Sequence, residues 1–184
     1  MIVILGESAS GKTTLVNDFV AAHPDYTRVV QYTTRPKRDG EEDGVAYHFI
    51  TYDNFAKKFE DGFFAEIMDF RGWWYGTAVE DCKDSEKSIM ALNPAEWRQL
   101  KLAGVNTTSV YLNVDKRSRM IQMLCRGDDI NEIYRRITSD EGQFTGIKNE
   151  CDFIITNEGY NGSPEIIMNA LERILGMREI PSGD

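Results

Sequence analysis

Ile2-Val3-Ile4-Leu5 followed by Gly6-Glu7-Ser8-Ala9-Ser10-Gly11-Lys12-Thr13-Thr14 is the stretch that decides the fold. Four apolar residues read as a short buried strand, and Leu15, Phe19 and Val20 give the helical spacing that follows. Between them Gly6 to Thr13 matches G-x-x-x-x-G-K-[ST]. The glycines let the backbone turn so that successive N–H groups face inward onto phosphate oxygens, and the helix N-terminus adds its dipole. In this chemistry Lys12 reaches the β- and γ-phosphates and the Thr13 hydroxyl ligates Mg2+. A Gly-rich turn that binds nothing matches the same pattern by chance on the order of 1 in 100 in a chain of this length. The strand-to-helix setting lowers that further. The expectation is a site for a nucleoside triphosphate, with ATP contacts along Gly6, Glu7, Ser8, Ala9, Ser10, Gly11, Lys12, Thr13 and Thr14.

Working outward, short apolar runs recur at Ile89–Leu92, Val110–Val114 and Asp152–Thr156, each followed by a helical pattern. Those helices are expected at Pro94–Leu100, Arg117–Cys125 with Ile130–Phe144, and Pro164–Leu175. Strand–helix alternation predicts an α/β fold, a parallel sheet covered on both faces. The stretch from Gln31 to Thr77 interrupts it with consecutive short, aromatic-rich strands around a helix at Thr51–Asp61, and reads as an inserted lobe. One domain over 1–177 is expected, with its core in 1–30, 78–115 and 142–177, the lobe in 31–77, a helical lid in 116–141 and a flexible tail in 178–184.

The composition sets limits. With 184 residues, 41% hydrophobic and 28% charged, the chain suits one globular domain rather than a disordered one. A net charge of −9 argues against nonspecific nucleic-acid binding, and any anionic ligand must meet a local basic cluster. No apolar run approaches the roughly 20 residues of a membrane helix, and the start lacks the basic n-region of a signal peptide. Cys82, Cys125 and Cys151 lack metal-like spacing and read as reduced thiols, so a cytoplasmic protein is expected, as a monomer or weak dimer.

One basic cluster is Arg35, Lys37 and Arg38, within Thr33-Thr34-Arg35-Pro36-Lys37-Arg38-Asp39-Gly40-Glu41. Alone it reads as a solvated turn. Beside a phosphate loop in an acidic protein, a second phosphate locus explains it better, since two arginines three apart can clamp one phosphate and a nearby Tyr hydroxyl can add a bond. Further on, Arg117, Arg119, Arg126, Arg135 and Arg136 lie on two helical segments joined at Gly127. Phosphoryl transfer needs cations around the moving group and exclusion of water, which a hinged, Arg-bearing lid supplies. His23 and His48 lack partner spacing, Met120, Met123 and Leu124 read as core packing, and of Trp73 and Trp74 one is expected buried.

Taken together, the phosphate loop, Thr33–Phe49, Glu66 with Trp74-Tyr75-Gly76-Thr77, and Arg126-Gly127 with Arg135-Arg136 resemble the guanylate kinase family, in that order and over residues 2 to 175. The resemblance implies a P-loop nucleoside-triphosphate-hydrolase-like sheet with a monophosphate-binding lobe and a helical lid. It implies that Arg35, Arg38, Tyr47 and Tyr75 hold the phosphate of a nucleoside monophosphate, with Glu66 reading guanine and Thr77 lining the same pocket. It implies catalytic roles for Lys12, Arg126 and Arg136, with Arg119 and Arg135 as weaker candidates, and a contact of Asn157 with adenine. The base chemistry agrees: an ionised Glu66 accepts only, which suits guanine N1–H and N2–H and opposes adenine N1.

Three positions depart from the family pattern. Gln31 stands where a Ser touches O6, and its amide NH2 is expected to donate instead. Ala91-Leu92-Asn93 stands for Asp-x-Asp, so Asn93 is expected to accept from the N2 amino group while Ala91 removes a carboxylate near the metal. The activity expected is ATP-dependent phosphorylation of GMP or dGMP with Mg2+. The alternatives are a catalytically weak guanylate-kinase-like module that binds proteins or phosphopeptides, which would show an eroded phosphate loop, and a kinase for a different phosphorylated acceptor.

Overall fold

The computed structural model describes residues 1–70, 72–83, 85–157, 159 and 163–178. The expected tail beyond Arg178 lies outside the described residues. In chain order the elements are β1 (Ile2–Leu5), α1 (Lys12–Ala22), β2 (Thr27–Arg28), β3 (Tyr32–Thr33), β4 (His48–Phe49), α2 (Tyr52–Glu60), β5 (Phe64–Phe70) and β6 (Trp73–Ala78). Then come β7 (Ser88–Leu92), α3 (Pro94–Leu102), β8 (Thr108–Asn113), α4 (Lys116–Cys125), α5 (Ile130–Gln143), α6 (Ile147–Glu150), β9 (Phe153–Thr156) and α7 (Pro164–Ile174).

β1 is the centre of a five-stranded parallel sheet ordered β2-β7-β1-β8-β9. Its alternate residues serve opposite faces, as the pleat requires. Ile2 and Ile4 join Leu15, Phe19, Val110, Ile167 and Leu171 under α1 and α7. Val3 and Leu5 join Leu92, Trp97, Leu100 and Ile147 under α3 and α6. An unalternating apolar run such as Ile2–Leu5 is what a strand covered on both sides needs. All five strands run the same way, so the chain after β1, β7, β8 and β9 emerges at one edge, where α/β sheets place ligands.

A second sheet, ordered β4-β3-β6-β5, spans Tyr32 to Ala78. β5 and β6 pair antiparallel, and a register shift between Phe64 and Glu66 sets Glu66 opposite Thr77. Thr51 caps α2, its hydroxyl accepting from the Asn54 N–H at 3.3 Å. α4 and α5 meet through Met123, Ile133 and Ile137, with Met120 beside them. Leu124 departs from the expectation of core packing: it is on the outer face of α4 and exposed. Trp73 and Trp74 are exposed and half-buried, so neither is a core residue, and the buried aromatic of that strand is Tyr75. His23 does find a partner, Glu172 of α7 at 2.9 Å, and His48 stacks on Tyr32.

Candidate functional site

The loop after β1 turns on Gly11 at φ 93° and Ala9 at φ 60°. A left-handed conformation costs a residue with a Cβ roughly 1–2 kcal/mol, so Ala9 holds it against preference. Gly6 has no alternative: a Cβ there would lie 2.5 Å from Ser10 Oγ and 3.0 Å from the Leu112 carbonyl. Lys12 curls back to donate to the carbonyls of Gly6 at 2.5 Å and Glu7 at 3.0 Å. Burial pushes its ammonium down to about 8 against the pull of Asp140 and Glu7, and an arriving phosphate favours the charged form. In front of the loop opens a cavity of about 660 Å³ whose wall includes Lys12, Thr13, Gln122, Arg126, Asn157 and Ile167. The loop, one lid arginine and Asn157 thus line one space.

Where α4 meets α5, the carboxylate of Asp128 lies between Arg126 and Arg136. Arg126 Nε donates to Asp128 Oδ2 at 2.9 Å and Arg136 Nη1 reaches the same oxygen at 3.4 Å. Arg136 Nε also donates to Glu132 Oε1 at 2.6 Å. Arg135 pairs with Glu132 and lies over the Phe70 ring at 5.7 Å, touching the second sheet.

In the second sheet, Arg35 is buried and held by both oxygens of Glu41, at 3.0 and 2.7 Å. Its guanidinium lies 5.4 Å from the Tyr47 ring, and the Tyr47 and Tyr75 rings are 5.7 Å apart. Arg38 stands exposed, with its backbone N–H donating to Glu41 Oε2 at 2.8 Å. Arg35, Tyr47 and Tyr75 therefore converge, with Arg38 at the rim.

Glu66 is 2% exposed. Its Oε1 accepts from Thr77 Oγ1 at 2.6 Å and from Gln31 Nε2 at 2.9 Å, while Oε2 is buried without a hydrogen-bond partner among the described residues. Desolvation raises its pKa, opposed by the bonds from Thr77 and Gln31. Gln31 Nε2 also reaches Glu96 Oε1 at 3.2 Å. Glu96, on the first turn of α3, is itself buried and pushed upward by desolvation and by Glu66.

The guanylate kinase family model matches residues 1–174. The chain belongs to the guanylate kinase family. A guanylate kinase of Sulfurimonas denitrificans is 30% identical over 165 residues, 86% of this chain and 80% of that protein. One of Maricaulis maris is 30% identical over 192 residues, covering 97% and 85%. The fold is shared with a crystal structure of guanylate kinase from Anaplasma phagocytophilum, with a TM-score of 0.70 at 16% identity over 99% of this chain and 87% of that one. The chain is by family a nucleoside monophosphate kinase.

Within this guanylate kinase frame, Gln31, Asn93 and Arg119 have partners that the sequence did not show. Both hydrogens of the Gln31 amide are directed at carboxylates, Glu66 and Glu96, so this arrangement leaves none to donate to a base O6. Asn93 is the N-cap of α3: its Oδ1 accepts the Glu96 N–H at 3.0 Å and its Nδ2 donates to Met68 Sδ at 2.6 Å, a cap that leaves Oδ1 a second lone pair. Arg119 is not a lid cation facing the nucleotide. It is 4% exposed, paired with Asp140 at 3.2 Å, and donates to the carbonyls of Val114 and Ser8.

Sequence reasoning missed Glu96 and Asp140. Glu96 was legible as the fourth residue of Asn93-Pro94-Ala95-Glu96, the spacing of a reciprocal cap, which the structure contains. Asp140 had no local signal. For a metal, no group of three or more His, Cys, Asp or Glu gathers among the described residues. Thr13 on the cavity wall offers one hydroxyl, and Ala91 offers nothing. That donor set fits an ion that arrives on phosphate oxygens and keeps its waters, the habit of Mg2+.

Proposed function

We propose that this guanylate kinase family member transfers the γ-phosphoryl group of ATP to GMP or dGMP, as a cytoplasmic enzyme. The observation that carries the base assignment is Glu66: one oxygen fixed by Thr77 and Gln31, the other buried and unpartnered. A buried acceptor without a donor is destabilising by roughly 1–3 kcal/mol, more when charged, and a ligand edge with paired donors relieves it. Guanine offers N1–H and N2–H side by side, whereas adenine opposes an acceptor to an acceptor.

The chain's own groups supply the rest. The loop amides and Lys12 take the donor phosphates. Arg35 turns from Glu41 to the acceptor phosphate with Tyr47, Tyr75 and Arg38. Arg126 and Arg136 exchange Asp128 for the group in flight, so that charge developing in the transition state meets fixed cations. Mg2+ carried on the triphosphate, with Thr13 as its protein ligand, would neutralise phosphate charge. Three free cysteines fit a reducing compartment.

A second reading, a kinase with another base as acceptor, draws on Gln31, whose donors both face carboxylates and leave position 6 of the base without one. One assay separates the two. Coupled ADP release is measured over ribo- and deoxyribonucleoside monophosphates of guanine, adenine, 2,6-diaminopurine, hypoxanthine, cytosine and thymine. GMP or dGMP is expected to exceed AMP at least about tenfold in kcat/KM. A pyrimidine or AMP as best acceptor would overturn the pocket assignment.

A further inference from the structure

The phosphate loop is gripped from the side of α4 and α5 at Glu7, Ser8 and Ala9. Asp140, on the last turn of α5, accepts the Ser8 N–H at 2.9 Å on one oxygen and the Ser8 hydroxyl at 3.1 Å on the other. Arg119 of α4 closes the circuit, pairing with Asp140 at 3.2 Å while donating to the Ser8 carbonyl at 3.4 Å. Glu7 is held beside them: Tyr111 donates to its carboxylate at 2.8 Å, and Arg119 Nη2 lies 3.9 Å from it. Asp140, Arg119 and Tyr111 are all buried, so these bonds are shielded from water. Ala9 adds an apolar contact, packing against the Met123, Ile133 and Ile137 cluster that joins α4 to α5. Its left-handed backbone, ill-suited to a side chain, is thereby held from the lid.

We propose that Asp140 is a positioning residue, locking the phosphate loop to the lid so that the two move as one unit and donor binding sets the place of the lid arginines. Arg136 and Asp140 are four residues apart on α5, hence on one face. Anchoring Asp140 to Ser8 therefore fixes, one turn away, where Arg136 enters the site. A lid attached only through its hinges would bind donor and close in separate steps. With this clamp, a shift of Glu7–Ser8 on phosphate binding is delivered directly to α5.

This rests on the loop being the ATP site, and the test keeps the two apart. Steady-state kinetics of Asp140→Ala should show KM for ATP raised at least tenfold with KM for GMP within twofold. In parallel, a non-hydrolysable ATP analogue should slow amide exchange across α5 in the wild type and at least threefold less in the variant. A folded Asp140→Ala protein with both readouts within twofold of wild type overturns the proposal. Should that variant not fold, Ala9→Gly decides: freed of backbone strain it should keep or raise its Tm, yet raise KM for ATP at least threefold. An unchanged KM for ATP there overturns the proposal as well. A wild-type chain that binds no ATP fails the functional reading instead. The clamp is then read without nucleotide, as at least tenfold faster exchange of the loop amides in Asp140→Ala, and an unchanged rate counts against it.

Discussion

Replacing Glu66 by Gln exchanges one atom of the base pocket and should invert its preference. The two bonds at Oε1, from Thr77 at 2.6 Å and Gln31 at 2.9 Å, both require an acceptor there. A glutamine therefore keeps its carbonyl in that place and turns its NH2 to where Oε2 is now buried and unpartnered. A donor then stands where guanine presents donors and where adenine presents the N1 acceptor. GMP loses a charge-assisted hydrogen bond, about 1.5–3 kcal/mol, and AMP gains a neutral one, about 0.5–1.5 kcal/mol. Even the lower ends sum to about 2 kcal/mol, so the GMP-to-AMP ratio of kcat/KM should fall at least about thirtyfold. The buried carboxylate that now opposes Glu96 also disappears, so the variant should be no less stable to heat. Initial rates of ADP release with each monophosphate at saturating ATP, beside a melting curve, give both numbers. A folded Glu66→Gln protein whose ratio stays within threefold of wild type would refute the pairing of Glu66 with the base.

Lys12→Ala should stay folded and lose at least about 3 kcal/mol of transition-state stabilisation, more than a hundredfold in kcat by ADP release. Asp128→Asn removes the carboxylate that occupies Arg126 and Arg136, and should tighten ATP up to about fivefold, the scale of an exposed ion pair, by calorimetric titration. Glu96 is pushed up to about 8 by burial and Glu66, so the folded chain holds this proton more tightly than the unfolded chain. Its stabilising contribution is full below about 4.5, the ordinary carboxylate range, and is lost as pH rises through about 8. Melting temperatures of Glu96→Gln should decline less over that window than those of the wild type, and parallel curves would contradict it.

What could be read from the sequence was whatever is written locally. The phosphate loop is legible because a strand, two glycines, a lysine and a threonine lie within a dozen residues, and Ile2–Leu5 already declares a strand covered twice. Pro94 at the start of α3 and Thr51 at the start of α2 are local in the same sense. Glu66 is different: an isolated strand carboxylate carries no sign of burial, and it was found through family resemblance alone. Arg119 shows the limit most sharply. A basic residue on an amphipathic helix looks solvated, and only the fold brings Asp140 to neutralise it, 21 residues away in sequence. Ser8 and Asp140 are 132 residues apart, and Gln31 and Glu96 are 65. No spacing rule spans such distances, because the contacts are made by packing of whole elements. Gln31 belongs with them: its amide chemistry is plain in the sequence, whereas its partners Glu66 and Glu96 come to it only through the fold.

Glu41 on Arg35 and Asp128 between Arg126 and Arg136 have a consequence for how this acidic protein meets its anions. Cations left bare on a surface gather chloride or phosphate from solution and give up those ions when a ligand arrives, which makes affinity fall steeply with salt. Here the counterions are part of the chain. On the proposed function, an incoming phosphate would displace a tethered carboxylate and set few mobile ions free. Nucleotide affinity should therefore respond shallowly to added potassium chloride, beyond the ordinary screening at a Debye length of about 8–10 Å. Each tethered carboxylate also acts as a threshold, passing an anion able to compete with it at several arginines together and turning away a stray inorganic ion that can engage one.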